Sequence, residues 1–130
     1  MRILQPPDWP GPKGYSNGIA ARGTLVFVAG QIGWNRNNMI LSDSLVDQVR
    51  QALENTIAVL AEANAGPEHV TRMTWYILDK HEYLSSRKDI GRVYREIMGR
   101  NYPAMSLFAV SALLEDRAKV EIETTAVIPD

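Results

Sequence analysis

Two stretches of this chain carry one apolar stripe each at helical spacing, with a polar remainder that cannot be buried all round. The first follows Ser44, where Leu45, Val49, Ala52, Leu53, Thr56, Ile57 and Leu60 recur every three to four residues. The second spans about Glu82 to Met98. Its stripe is Tyr83, Leu84, Arg87, Ile90, Tyr94 and Ile97, with Arg87 as the interruption. A one-sided helix needs a sheet face to cover. Strand-like runs surround the two helices: Tyr15 to Ala20, Thr24 to Ala29, Val70 to Leu78, Ala104 to Val110 and Lys119 to Val127. In the third run Met73, Trp75 and Ile77 share one face, and Arg72, Thr74, Tyr76 and Leu78 the other. The order is therefore ββ-α-β-α-ββ. It predicts an α+β fold with both helices packed on one face of a mixed β-sheet. The other sheet face carries apolar side chains that a lone small domain would leave wet, so a closed homo-oligomer is expected.

The punctuation agrees with this reading. Ser44 is a helix N-cap candidate with Asp47 three residues on. Gly66-Pro67 stops the first helix, glycine being suited to a left-handed cap. Gly99 and Pro103 close the second, and a Pro/Gly-rich opening from Pro6 to Gly14 reads as irregular. No linker or repeat divides the 130 residues, so residues 1–130 form a single domain. A net charge of −1 gives no general attraction to phosphate backbones, which argues against nucleic acid as a partner. The chain has no cysteine, which removes disulfides, thiol catalysis and thiolate metal sites. His69 and His81 have no partner at ligand spacing and read as surface residues, so no metal is expected. No apolar run can span a bilayer, and the opening residues lack a signal-peptide core, so no membrane partner and a cytoplasmic location are expected.

Five segments, in order, carry a family resemblance. They are Gly14-Tyr15-Ser16-Asn17, Val28-Ala29-Gly30-Gln31-Ile32, Gln51 to Asn55 with Val59-Leu60, Tyr102-Pro103-Ala104-Met105-Ser106, and Val120-Glu121-Ile122-Glu123. Together, from Gly14 to Val127, they resemble the Rid/YjgF family of reactive-intermediate (imine) deaminases, also called RidA-like or L-PSP. The resemblance implies a chorismate-mutase-like fold and a homotrimer whose sheets line a central barrel. It also implies sites in inter-subunit clefts, hydrolysis of enamines and imines, and no cofactor or metal.

Glu121 alternates with Val120 and Ile122, so it points away from the helix-covered face. In an enclosed cleft its carboxyl would suit proton transfer or the orientation of a water. The other reading is an inter-subunit hydrogen-bond or salt-bridge partner. The family resemblance favours Glu121 as the catalytic residue. Met105 is the main departure, because it stands where the family's imine deaminases have arginine. A guanidinium forks onto a carboxylate with two charge-assisted bonds, whereas a thioether donates none. Activity on 2-iminobutanoate-type acids should therefore be absent or very slow. A substrate would be neutral, less polar or anchored by another group, such as one of Arg72, Arg87, Arg92, Arg95, Arg100 and Arg117. Without that cation, the Glu121 pKa is also expected to rise.

Ala29, Gly91 and Leu107 replace positions where the family commonly has serine, asparagine and cysteine, which makes the pocket more apolar. Tyr15, Gln31, Met105, Leu107, Gly91 and Trp34 are the candidate substrate-binding residues. Tyr15 and Gln31 also admit packing or backbone-bonding roles, and Trp34 and Trp75 also read as core or interface. The backbone N–H and C=O groups of Met105 and Leu107 could also reach a ligand from a strand edge. On this reading the protein is a RidA-like hydrolase for an enamine, imine or related C–N metabolite, with residues 105 and 121 sharing one crevice between protomers. The alternative is a non-catalytic trimer that binds a small molecule. A ribonuclease role is disfavoured by the charge and by the lack of a catalytic histidine pair.

Overall fold

The computed structural model describes residues 1–130. Strand β3 (Thr24–Gln31) leads through a loop to helix α1 (Leu45–Ala61), and a short 3-10 turn (Pro67–His69) then opens β4 (Val70–Ile77). Helices α2 (Lys80–Ser85) and α3 (Arg87–Met98) follow, and β5 (Ala104–Ala109) and β6 (Val120–Ile128) complete the sheet. The four-stranded sheet has the order β3-β6-β4-β5. It is mixed, because β4 and β5 run parallel while β6 is antiparallel to both its neighbours. No helix is long and apolar enough to cross a membrane.

The expected layers are present. Val120, Ile122, Thr124 and Ala126 of β6 and Met73, Trp75 and Ile77 of β4 are buried. They join Leu45, Val49, Ala52, Leu53 and Leu60 of α1 and Ile90, Val93, Tyr94 and Met98 of α3, in one cluster but for Thr124. Alternation along each strand sends the intervening residues to the opposite, open face. That face exposes Leu25 and Phe27 of β3 and Phe108 of β5, with Phe27 at 73% and Phe108 at 52% exposure. Phe108 stacks on Tyr76 at 6.3 Å between ring centroids.

Several local expectations are corrected. Pro6 to Gly14 is irregular as expected, but Arg2–Leu4 ahead of it forms an unforeseen strand β1, which pairs antiparallel with β2 (Gly18–Ala20). This ribbon stands apart from the main sheet, and Tyr15 lies outside it. The second helix breaks at Ser86, the residue that ends α2 and precedes α3. The break rotates the stripe. Val93 and Met98 enter the core, while Leu84 and Arg87 are exposed. Helix α1 ends at Ala61, before Gly66, and the left-handed position beyond it is Asn64 at φ 56°. Asparagine tolerates that conformation because its short amide bonds locally. Ser44 does cap α1 by accepting from the Asp47 N–H at 3.2 Å, but the Asp47 carboxylate accepts from Ser42 rather than reaching back to the cap. His69 is half-buried rather than a surface residue, and its Nδ1 accepts from the Gly66 N–H at 3.0 Å.

Gln48 is a buried polar residue on α1 that the apolar stripe does not reveal. Its amide donates to the carbonyls of Ser42 (2.9 Å) and Arg117 (3.0 Å), and its carbonyl accepts from the Lys119 N–H at 2.8 Å. One side chain thereby ties the helix start to the loop that enters β6. Gly33 lets the segment after β3 approach this turn of α1, since a Cβ there would lie 2.8 Å from the Gln48 Cα.

Candidate functional site

The candidate residues fall into three places. A cavity of about 470 Å³ opens between α3, the β5 edge and the segment before β2. Tyr15, Gly91, Met105 and Leu107 all line it. Its remaining wall is Gly14, Trp75, Tyr83, Ile90, Tyr94 and Tyr102, with Lys13, Arg87 and Arg95 at its polar positions. Met105 and Leu107 pair with Met73 and Trp75 across the parallel ladder. They therefore stand on the helix side of the sheet, partly buried against the core. β5 is an edge strand, so one row of its backbone groups faces away from β4. On that outer side it meets the segment before β2 in one isolated bridge, between Ser16 and Ala104. Ser16 donates through its N–H to the Pro103 carbonyl at 2.9 Å and through its hydroxyl to the Tyr102 carbonyl. These bonds hold Tyr15 at the cavity mouth, where it is 41% exposed.

The cavity wall is aromatic and tightly organised. Tyr94 stacks on Tyr102 at 5.6 Å with planes 14° apart, and Trp75 meets Tyr94 at 6.4 Å. The Tyr94 hydroxyl donates to the Asn101 carbonyl. Burial pushes the Tyr94 and Tyr83 phenols above their ordinary pKa.

Glu121 lies elsewhere. It pairs with Tyr76, so it projects from the open face, on the other side of the sheet from Met105. Its carboxylate packs directly over Gly30, where a Cβ would fall 2.3 Å from Oε2. Glu123 shares that face and accepts from the Tyr76 hydroxyl at 2.9 Å, a bond that raises the Tyr76 pKa. A single chain therefore does not bring residues 105 and 121 into one crevice. Gln31 and Trp34 form the third place, a shallow groove beside α1. The Gln31 amide donates to the Ala29 carbonyl, and the Asn55 amide holds the Trp34 and Ile32 carbonyls. Trp75 is core and cavity wall at once.

Sequence reasoning missed Tyr83, Tyr94 and Tyr102 as cavity residues. Tyr94 was legible as a helix-stripe residue, but its place beside Tyr102 depends on how α3 seats on β4 and β5. No group of three or more His, Cys, Asp or Glu side chains is placed to hold a metal.

The profile of the endoribonuclease L-PSP family matches residues 10–128. A RutC family protein from Synechocystis is 36% identical over 132 residues, covering 99% of this chain and 98% of that one. A 2-iminobutanoate/2-iminopropanoate deaminase from Dermatophagoides farinae is 32% identical, covering 98% of this chain and 96% of its own. Among solved structures, the conserved Rid family protein YyfB from Yersinia pestis superposes with a TM-score of 0.87 at 27% identity, covering 98% of each chain.

Proposed function

The chain belongs to the endoribonuclease L-PSP family, which takes in the RutC and Rid proteins, and on that premise we propose that it hydrolyses an enamine, imine or related C–N metabolite in clefts between the subunits of a cytoplasmic homotrimer. One observation carries the reading. The cavity beside α3 has no carboxylate or histidine in its wall, whereas Glu121 stands on the far face of the sheet. Within a single chain the Glu121 carboxylate is thus separated from the cavity. A neighbouring copy that covers the apolar open face would set its own β5 edge, and the cavity beside it, against Glu121. Such a contact would also remove Phe27 and Phe108 from water.

In that assembly the Glu121 carboxyl first protonates the enamine carbon, producing the iminium. The resulting carboxylate then takes a proton from a water as the water oxygen attacks the C=N carbon. The tetrahedral carbinolamine transfers a proton to nitrogen, and the C–N bond breaks to release ammonia and a carbonyl compound. Met105 offers no fork for a substrate carboxylate at the strand, which separates this site from that of a typical 2-iminobutanoate deaminase.

The test is ammonia release from a panel of freshly generated enamines and imines, for the native protein and Glu121→Gln, alongside mass in solution. The expected result is a trimer with turnover that falls about 10²–10⁴-fold in the variant. Binding without turnover in both proteins would instead assign a small-molecule-binding trimer. A monodisperse monomer at micromolar concentration would remove the shared cleft.

A further inference from the structure

Two carboxylates stand one step apart on the open face of β6, and the chain treats them differently. Glu121 and Glu123 flank Ile122, whose side chain enters the core, so both project to the other side of the sheet. The ladder sets Tyr76 of β4 directly across from Glu121, while Thr74 is the residue across from Glu123. Directly opposed Cβ atoms lie about 4.5–5.5 Å apart and diagonal neighbours about 7–8 Å. The Tyr76 hydroxyl nonetheless donates to the diagonal carboxylate, reaching Glu123 Oε1 at 2.9 Å. Phe108, its partner in β5, stacks on the ring from the flank opposite β6, with planes 30° from parallel.

Glu121 is left without a donor. None of the side-chain hydrogen bonds or ion pairs within the chain engages it, and its carboxylate leans the other way, onto Gly30 of β3. Arg72, on the same face of β4, forms no ion pair with either glutamate. Both carboxylates act on the phenol. The bond to Glu123 raises the Tyr76 pKa most, desolvation follows, and the negative charges of Glu123 and Glu121 add to the rise. One phenol thus has two anionic acceptors in range, and the fold assigns it to the one with no part in the proposed chemistry. A phenol bound to Glu121 would instead occupy the oxygen that has to take a proton from water.

We propose that Glu123 is a positioning residue for the reaction: it holds the Tyr76 phenol and so keeps that phenol from capturing Glu121. The proposal rests on Glu121 being the proton-transfer group described above, and it names what leaves that group free.

A double-mutant cycle in the assembled protein tests it, read by ammonia release from the enamine or imine that the native protein hydrolyses. Glu123 is exposed, so the fold should tolerate its replacement. Glu123→Ala removes the diagonal acceptor, and Tyr76 should then bind Glu121. Turnover should fall about 10–10²-fold with KM unchanged, the size of a hydrogen bond to a charged group that has to break before Glu121 acts. Tyr76→Phe removes the phenol and should turn over like the native protein. The double variant Tyr76→Phe/Glu123→Ala should recover native turnover, and Glu123→Gln, which still accepts from the phenol, should keep it. Recovery on adding a second substitution is an outcome that a merely structural Glu123 does not produce. A Glu123→Ala protein as active as native, or a double variant as slow as Glu123→Ala, would overturn the proposal. Glu121→Gln separates the two readings. If it turns over like native, the reaction assigned to Glu121 fails and the positioning role with it; if it is inactive while Glu123→Ala is not, only the positioning role fails. A crystal structure of Glu123→Ala decides without any substrate. The Tyr76 hydroxyl should lie within about 3 Å of a Glu121 carboxylate oxygen, with that carboxylate drawn off Gly30. A phenol turned to solvent, with Glu121 still seated on Gly30, would refute it.

Discussion

Replacing Gly30 with alanine should disable the site while leaving the fold almost untouched. The added Cβ would lie 2.3 Å from Oε2, 2.8 Å from Cδ and 2.9 Å from Cγ of Glu121. Ordinary contact needs 3.4 Å or more, so the carboxylate must retreat by about 1 Å. Gly30 is not among the glycines with positive φ, so alanine meets no backbone strain there. Stiffening the unfolded chain would itself stabilise by about 0.4–1 kcal/mol. The obstructing atoms belong to the end of a flexible side chain, so the collision is relieved by moving Glu121 and not the sheet. A displacement of that size at a proton-transfer group costs about 10²-fold in rate. Expected, then, are a melting temperature within about 5 °C of native and a turnover approaching that of Glu121→Gln. The assay is ammonia release from whichever enamine or imine the native protein hydrolyses, paired with a thermal melt. Native turnover in Gly30→Ala beside an inactive Glu121→Gln would refute the claim that the carboxylate works from its seat on Gly30.

Other outcomes follow from the same geometry. Met105→Arg, read by release of ammonia from a short 2-imino acid, should raise hydrolysis by at least tenfold if the rest of the cavity is competent; no gain would mean that Gly91 and Leu107 also exclude that substrate. Gln48→Leu removes three hydrogen bonds from a residue 1% exposed and strands two carbonyls and an N–H, which should cost about 2–4 kcal/mol by urea titration. The alkaline limit of stability should track Tyr94. Its folded pKa is raised above the ordinary 10.0, so its contribution is fully present below pH 10 and is lost as pH climbs toward the folded value. Tyr94→Phe should therefore flatten the fall in urea midpoint above pH 10.

Periodicity made most of the architecture legible. The stripe from Leu45 to Leu60 and the alternation of Met73, Trp75 and Ile77 are local signals that the core then honours. The same alternation put Glu121 on the open face. What stayed hidden depends on long-range pairing. Nothing local says that β5 lies parallel to β4, and that pairing decides that Met105 faces the helices while Glu121 does not. The break at Ser86 is hidden for a related reason, since two short helices and one long one share a composition, and docking on the sheet chooses between them. Gln48 escaped notice because a polar residue on a helix defaults to solvent until its partners at Ser42, Arg117 and Lys119 are in place.

Strand β6 comes last among the strands of this domain yet lies in the middle of the sheet, with β3 on one flank and β4 on the other. While a ribosome is still making the chain, β3 and β4 have no shared neighbour, and each offers an unpaired edge to any other nascent chain. The sheet can close only after about the last ten of these residues emerge, so assembly is a late and non-local event that should be slow for a domain of this size. Synthesis cut short near Lys119 would leave β3 with no partner in the main sheet and β4 paired only with β5, and such a chain should aggregate rather than wait in a loosened native form.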